Sequence, residues 1–309
     1  MSAQIVVVGS LNMDMVVSLK HRPGRGETVL GGDFFMNAGG KGANQAVAAR
    51  KLGATVAMIG KVGQDLFADQ LLENLVQLGI DCSAIEKVPD QATGVAFVTL
   101  DSEGDNSIVV APGANHKLTP ADIRRQEERI KQAKLLMVQL EIPLETVREA
   151  IAIARRHKVP VMLDPAPVQP LTAELLSMVD YIVPNETEIS QLTGIEVHDQ
   201  VTAKLAAVEL LRQGVSTVFA KLGEKGIVVV NANRTFFVEP YQVQAVDSTA
   251  AGDAFAGAVG AAIVSGKDVW ASAKFASAIG AITVTRKGAQ ASMPSLEEAE
   301  DFMKKEAHN

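Results

Sequence analysis

The chain has 309 residues, 47% of them hydrophobic and 21% charged, which is enough apolar material for one large domain with an appendage or for two domains. A formal net charge of −7 at pH 7 argues against nucleic acid or an anionic membrane surface as the main partner. The single cysteine, Cys82, excludes an intramolecular disulfide and a cysteine-based zinc site and suits a reducing compartment. Residues 5–8 read as a β-strand rather than as part of a signal peptide, so we expect a cytoplasmic protein.

Short β-branched runs alternate with helical patterns along most of the chain. Strands are predicted at residues 5–8, 55–59, 135–138, 159–163, 181–183, 217–220 and 227–230. Helical periodicity lies between several of them, at residues 65–78, 144–157 and 201–212. Continuous apolar strands are buried on both faces, and a βαβ alternation makes such a sheet mostly parallel. The sequence therefore predicts an α/β fold with a mostly parallel sheet flanked by helices.

Two stretches, residues 13–36 and 93–110, interrupt this alternation with strand and hairpin patterns and no helix between them. Residues 102–105 read SEGD, a predicted turn. We interpret the two stretches as one small antiparallel sheet formed by excursions from a single domain that spans residues 1–309. An isolated sheet has an open face and edges, so we expect it to cover a ligand or to pair with a second subunit in a homodimer.

Polar side chains follow several of the predicted strands. Ligands of mostly parallel sheets bind beyond the carboxyl ends of the strands, so these side chains are candidates for one site. They are Asn12 and Asp14 after the first strand, Glu141 after residues 135–138, Asp164 after 159–163 and Asn185 after 181–183.

A glycine-rich motif at residues 37–46 reads NAGGKGANQA. Its glycines, Gly40 among them, allow close backbone approach, while Lys41, Asn44 and Gln45 offer hydrogen-bond donors and acceptors at the start of a helix. Asp14 could accept hydrogen bonds from two hydroxyl groups of one ligand. This density of polar groups is typical of a site for a polyhydroxylated molecule, although the glycine run alone is equally consistent with a flexible turn.

A second motif, at residues 247–253, reads DSTAAGD and opens a helical run of small residues. Ala250, Ala251 and Gly252 leave room for backbone N–H groups to point at an anion near a helix N-terminus. Asp253 could accept a proton from a nucleophile that attacks this anion, although alone it could be a carboxylate favoured by the helix dipole. An anion cradle beside a base is what phosphoryl transfer to an alcohol requires.

The common nucleotide-binding motifs do not fit. Each Gly-Lys pair, at residues 40–41, 60–61 and 266–267, lacks the earlier glycine and the following Ser or Thr of a P-loop. In the motif at residues 37–46, Gln45 stands where a dinucleotide fingerprint has its third glycine, so an NAD site has little support.

The motifs together resemble those of the ribokinase (PfkB carbohydrate kinase) family. Residues 39–46, GGKGANQA, and residues 247–253 match the two family signatures, and PNETE at residues 184–188 resembles the family's N-x-x-E element. The resemblance covers essentially the whole chain. It implies ATP-dependent phosphorylation of the ribose 5-hydroxyl, giving ribose 5-phosphate and ADP, with the small sheet as a lid over the sugar.

The resemblance also implies residue roles. Asp253 would be the general base and Ala250, Ala251 and Gly252 the anion hole. The sugar would be held by Asn12, Asp14, Gly40, Lys41, Asn44, Glu141 and Asp253. The nucleotide would be held by Asn185, Lys221, Gly223, Gly226, Gly252 and Ser277, with Glu188 holding Mg²⁺ through water. An activating K⁺ would be held by Asp247, Thr249, Thr283, Arg286, Gly288 and Ser292.

The chain departs from the family pattern at three positions. Lys221 stands where threonine is frequent, Ser277 where asparagine or histidine is common, and Asp164 where asparagine is usual. The base contacts to adenine and one contact to the nucleotide are therefore open. A kinase for another pentose such as deoxyribose, a nucleoside kinase and a non-catalytic sugar-binding regulator are the alternatives. For two residues a purely structural role is the alternative: Glu188 could be a capping or helix-surface residue, and Glu141 could cap the helix after Pro143.

Overall fold

The structure is a computed structural model that describes residues 3–100 and 106–306. The predicted turn at residues 102–105 lies outside the described residues. The strands in chain order are β1 (Ile5–Val8), β2 (Asn12–Ser18), β3 (Phe34–Gly39), β4 (Val56–Gly63), β5 (Asp81–Val88), β6 (Gly94–Leu100), β7 (Asn106–Ala111), β8 (Leu135–Val138), β9 (Val161–Leu163), β10 (Tyr181–Ile182), β11 (Thr217–Lys221), β12 (Ile227–Asn231) and β13 (Thr235–Val238). The helices are α1 (Lys41–Lys51), α2 (Leu66–Gln77), α3 (Pro120–Arg125), α4 (Glu127–Lys131), α5 (Leu144–Arg156), α6 (Ala173–Leu176), α7 (Glu186–Thr193), α8 (Gln200–Arg212), α9 (Ala251–Val264), α10 (Val269–Val284) and α11 (Leu296–Glu306).

The described residues form a large sheet with the strand order β13-β12-β11-β10-β9-β8-β1-β4-β5. Every neighbouring pair from β11 to β5 is parallel, so the predicted mostly parallel sheet is confirmed. The interior strand β1 is fully buried because helices cover both faces of the sheet. Ile5 and Val7 pack with residues of α1, α2, α9 and α10, whereas Val6 and Val8 pack with residues of α5 and α8.

Both ends of the large sheet differ from the prediction. At one end, β12 and β13 run antiparallel to their neighbours, since the five residues between β11 and β12 are too few for a crossover helix. At the other end, β5 was not predicted as a strand. It is a partly exposed edge strand, and its polar residues give it no continuous apolar run.

The small sheet, with the strand order β3-β2-β6-β7, is built from the two predicted excursions. The outer pairs β2–β3 and β6–β7 are antiparallel, but the central pair β2–β6 is parallel, so the prediction of a wholly antiparallel sheet was wrong at its centre. The physical reason is that β2 follows β1 and β6 follows β5. The strands β1 and β5 run in the same direction, so both connections leave the large sheet at the carboxyl ends of its strands. Within residues 3–100 and 106–306, no helix is long and apolar enough to cross a bilayer.

Candidate active site

Glycines seat the N-terminus of α1 against the end of β1. Gly40 connects β3 to α1 with a φ of 88°, and a Cβ there would lie 2.6 Å from the backbone nitrogen of Asn12. A Cβ on Gly42 would lie 2.6 Å from the backbone nitrogen of Ser10. No L side chain fits these approaches, so the glycine motif places Lys41 and Asn44 beside β1 and β2.

A small cavity of about 140 Å³ lies between this helix start and the small sheet. All of the predicted sugar-binding residues line it: Asn12, Asp14, Gly40, Lys41, Asn44, Glu141 and Asp253. Above them the small sheet contributes apolar side chains, including Val16, Val98 and Val110. The cavity therefore has a polar floor and an apolar roof.

Glu141 is bound to the start of α1 and does not cap α5. Its Oε2 accepts hydrogen bonds from Ser10 Oγ at 2.5 Å and from the Lys41 backbone N–H at 3.1 Å. No side chain among the described residues caps α5, whose N-cap is Pro143. The alternative reading of Glu141 as the cap of the helix after Pro143 is therefore wrong.

Asn12 is fixed by a residue far along the chain. Its Oδ1 accepts from Asn115 Nδ2 at 2.8 Å, and Asn115 also bonds to the backbone N–H and carbonyl of Leu11. Asn12 itself is 2% exposed. This side chain is held in place before any ligand arrives.

Acidic side chains crowd the small cavity around Lys41. Burial raises the pKa of Asp14 to about 7, with help from the charges of Glu141 and Asp253. Burial alone would lower the pKa of Lys41, but Asp253, Asp164 and Glu141 outweigh it and raise that pKa. The ammonium group therefore stays charged and balances part of the negative charge.

Asp253 lies in the first turn of α9, 5% exposed, and lines both the small cavity and a larger one. Its Oδ2 accepts from Asn44 Nδ2 at 2.9 Å and its Oδ1 from Gln45 Nε2 at 3.4 Å. Gln45 Nε2 also donates to Asp164 Oδ2 at 2.8 Å. Amides of α1 thus orient the carboxylate, as a positioned base needs.

The N-terminus of α9 has the features of an anion site. Ala250 takes a left-handed conformation with φ of 58° at the N-cap, and no side chain among the described residues caps the helix. Ala251 and Gly252 follow and line the large cavity with Asp253. Uncapped N–H groups and the helix dipole attract negative charge at this point.

The large cavity has a volume of about 740 Å³. It is lined by all of the predicted nucleotide-binding residues, Asn185, Lys221, Gly223, Gly226, Gly252 and Ser277, and by Glu188. Asn185 and Glu188 form a capping box at the start of α7, in which Glu188 Oε2 accepts from the Asn185 backbone N–H at 2.7 Å. The capping reading of Glu188 is therefore confirmed, and its side chain also faces the cavity.

The predicted K⁺ ligands come from two chain segments, residues 247–249 and 283–292, and Asp247 and Thr249 among them line the small cavity. Asp247 accepts from the backbone N–H groups of Thr249 and Gly288, each at 2.9 Å, which joins the two chain segments. Thr283 and Ser292 are buried, while the guanidinium of Arg286 is paired with Glu298 at 2.8 Å. A guanidinium group does not hold a cation, so Arg286, like Gly288, could contribute only its backbone carbonyl.

Three uncharged residues that support the site were not predicted in that role. Ser10, Gln45 and Asn115 hold Glu141, Asp253 and Asn12 in place. Gln45 was noted in the glycine motif for its donor and acceptor groups, but its contact with Asp253 was not predicted. Nothing local marks Asn115, whose partners are more than 100 residues away.

The arrangement supports transfer of a group from one ligand to another. A molecule in the large cavity and one in the small cavity would meet at Asp253, with the N-terminus of α9 beside the transferred group. The large cavity accommodates a nucleotide-sized ligand and the small one a compact polar ligand.

Comparisons with known proteins also indicate a carbohydrate kinase. The model of the pfkB family of carbohydrate kinases matches residues 2–296. The chain is 42% identical over 303 residues to a ribokinase of Haemophilus influenzae, covering 98% of this chain and 99% of that protein. It is 40% identical over 300 residues to a deoxyribokinase of Salmonella typhi, covering 97% and 98%. The structure of Arabidopsis thaliana ribokinase complexed with ribose and ATP superposes with a TM-score of 0.91 at 34% identity, covering 98% of this chain and 99% of that one.

Proposed function

This chain belongs to the pfkB family of carbohydrate kinases, and from that premise we propose that it phosphorylates D-ribose at the 5-hydroxyl with ATP, giving D-ribose 5-phosphate and ADP. The observation that carries the proposal is the position of Asp253, whose carboxylate lines both the small and the large cavity. The Arabidopsis relative binds the same two ligands that these cavities would hold.

In this proposal the floor of the small cavity holds ribose. Asp14 accepts hydrogen bonds from sugar hydroxyls, while Lys41 and Asn44 donate to them. Asp253 accepts the proton of the 5-hydroxyl as the oxygen attacks. An ordinary carboxylate is a weak base, but it need accept the proton only late in a loose transition state, so its orientation by Asn44 matters more than its basicity.

ATP occupies the large cavity with its phosphates toward Ala251 and Gly252. Mg²⁺ bound with ATP would neutralise phosphate charge. Asn185 and Glu188 line the same cavity, and their side-chain oxygens, which pair within the capping box of α7, are of the kind that holds Mg²⁺ and its waters.

We also propose an activating K⁺ at the loop where Asp247 joins Thr249 to Gly288. There the ion would fix the peptide orientations of residues 247–252.

We further propose that the small sheet acts as a lid that excludes water when ribose binds. Its exposed apolar residues support a homodimer formed lid against lid.

The use of ATP as the phosphate donor and the single free thiol of Cys82 favour a location in the cytoplasm. Burial raises the pKa of this thiol to about 11.

The second candidate acceptor is 2-deoxyribose. The deoxyribokinase of Salmonella typhi is about as similar to this chain as the ribokinase of Haemophilus influenzae. The discriminating contact is the one made to the ribose 2-hydroxyl, since a site that pairs a hydroxyl rejects the ligand that lacks it. A non-catalytic sugar-binding protein is less well supported, because such a protein would be expected to lack Asp253 or the glycine-containing start of α9, and this chain keeps both.

The test measures ADP release with Mg-ATP and K⁺ on ribose, 2-deoxyribose, fructose and adenosine. We expect the fastest turnover on ribose and a loss of kcat of about 10²- to 10⁴-fold in Asp253→Asn, the usual contribution of a positioned base. Replacing K⁺ by tetramethylammonium should lower kcat. Asp301→Asn, on the exposed face of α11, is the matched control. Faster turnover on 2-deoxyribose would identify 2-deoxyribose, not ribose, as the acceptor. No ADP release with any of the four acceptors from folded protein would overturn the proposal.

A further inference from the structure

Lys221 and Asp164 form a buried pair at the wall of the large cavity. Lys221 Nζ lies 3.8 Å from Asp164 Oδ1, and the two side chains are 15% and 3% exposed. Asp164 Oδ1 has no hydrogen-bond partner among the described residues. The ammonium group is therefore near the carboxylate without being tightly bound to it.

The backbone around Lys221 directs its side chain toward the anion site. Lys221 ends β11, and its N–H donates to the Pro184 carbonyl at 2.9 Å. A Cβ placed on Gly252 would lie 3.4 Å from Lys221 Nζ. The ammonium group thus lies between Asp164 and the N-terminus of α9.

The charges that line the large cavity indicate that this ammonium group contacts a bound polyphosphate. The described lining carries five carboxylates, Asp164, Glu186, Glu188, Glu224 and Asp253, and two ammonium groups, Lys41 and Lys221. Lys41 already balances the carboxylates of the small cavity. A polyphosphate would meet a negative wall here unless Lys221 faced it.

We propose, resting on the kinase function above, that Lys221 is a catalytic residue that donates hydrogen bonds to the transferring phosphoryl group and to the oxygen that leaves with ADP. Asp164 is its positioning residue, which holds the ammonium group over Gly252. In the step, the sugar oxygen forms a bond to the γ-phosphorus as the bond from phosphorus to the bridging oxygen breaks. The electron pair of the broken bond goes to ADP, the hydroxyl proton goes to Asp253, and Lys221 keeps its proton.

The experiment is a double-mutant cycle of Lys221→Met, Asp164→Asn and the double variant, assayed for kcat and the KM for ATP. Lys221→Met should lose about 10²-fold in kcat/KM for ATP, the scale for one donor to a developing charge. Lys221→Arg should recover part of this loss. Asp164→Asn alone should lose about three- to tenfold, within the range for contacting groups.

Coupling is the decisive readout. Because Asp164 acts through Lys221, the double variant should be no worse than Lys221→Met, a result that a purely structural role of Asp164 would not give. Lys204→Met, an exposed lysine of α8, is the control for loss of one positive charge. Losses that add in the double variant, or a Lys221→Met enzyme within twofold of wild type, would overturn the proposal.

Calorimetric binding of Mg-ATP without any sugar separates this proposal from the kinase function. We expect Lys221→Met to bind Mg-ATP at least about tenfold more weakly, since one charge-assisted contact is lost. If wild type phosphorylates no sugar but Lys221→Met binds Mg-ATP more weakly, the kinase function fails and the phosphate contact of Lys221 stands. Equal binding of Mg-ATP by wild type and Lys221→Met would show that Lys221 does not contact the phosphates. Melting curves of each variant verify folding.

Discussion

At the residue scale, the buried carboxylate of Asp14 in the small cavity lowers the stability of the folded protein when no sugar is bound. Asp14 lies near Glu141 and Asp253, and its burial and their charges raise its pKa to about 7. A carboxyl group whose pKa is higher in the folded than in the unfolded chain binds its proton more strongly when folded. The folded state is therefore favoured less as the pH rises from about 4 to about 7 and Asp14 ionises.

Asp14→Asn should therefore stabilise the sugar-free protein at high pH. The gain in melting temperature over wild type should be small at pH 5 and larger at pH 8, since the amide has no charge to bury. The same variant should bind ribose more weakly, because an amide cannot replace a carboxylate that accepts two hydroxyl donors. Thermal denaturation at both pH values and calorimetry with ribose measure the two effects.

Asp33→Asn provides the control, because Asp33 is an exposed carboxylate in the loop before β3. Its difference from wild type should not change between pH 5 and pH 8. A lower melting temperature for Asp14→Asn at pH 8 would show that the carboxylate stabilises the empty site, contrary to its raised pKa.

At the element scale, the positions of Asn44 and Asp253 depend on how closely α1 packs against α9. A Cβ on Gly257 of α9 would lie 2.5 Å from the Cβ of Ala48 and 2.8 Å from the carbonyl oxygen of Gln45. Both partners are buried in α1, where small residues let the helices approach. Glycine at this position therefore sets the distance between the two helices.

Gly257→Ala should force these helices apart. We expect a loss of about 1–3 kcal/mol in the free energy of unfolding, as for other overpacked cores, and a lower kcat as Asn44 moves from Asp253. Gly280→Ala in α10 is the matched control, because nothing lies within 4 Å of the added Cβ. That control should gain about 0.5–1 kcal/mol from the unfolded state. Chemical denaturation without nucleotide measures both, and equal effects would refute the packing argument.

Sequence patterns predicted elements well where burial was complete. The apolar runs of β1 and β8 were found with their observed bounds, and most of the other parallel strands within a few residues. The edge strand β5 was missed because its burial is partial. The parallel pairing of β2 with β6 was also missed, since alternation identifies a strand but not its partner.

The same limit applies to the candidate site. Glycines and charged residues in compact motifs pointed to the two cavities, because few other arrangements need that spacing. Asn44, which orients Asp253, was predicted, but Ser10 and Asn115, which hold Glu141 and Asn12, were not. Asn115 supports Asn12 from 103 residues away, and only the fold brings them together.

At the scale of the whole molecule, the small sheet leaves the small cavity incompletely covered. Phe35, Ile108 and Val110 line the cavity, yet they are 43%, 54% and 42% exposed. They share one face of the sheet with Asp14, as the strand register requires. An apolar face that is only half covered by its own chain is suited to a second copy of the same sheet.

We therefore expect a dimer of about twice 32.7 kDa in solution at micromolar concentration. Ile108→Asp should shift the mass toward one chain, because a charge buried in an apolar contact is strongly unfavourable. It should also raise the KM for ribose if the partner sheet helps to cover the cavity. Val201→Asp, which is 67% exposed on α8, should leave mass and KM unchanged. Light scattering after gel filtration gives the mass, and a monomeric wild type with normal ribose turnover would show that one sheet closes the site alone.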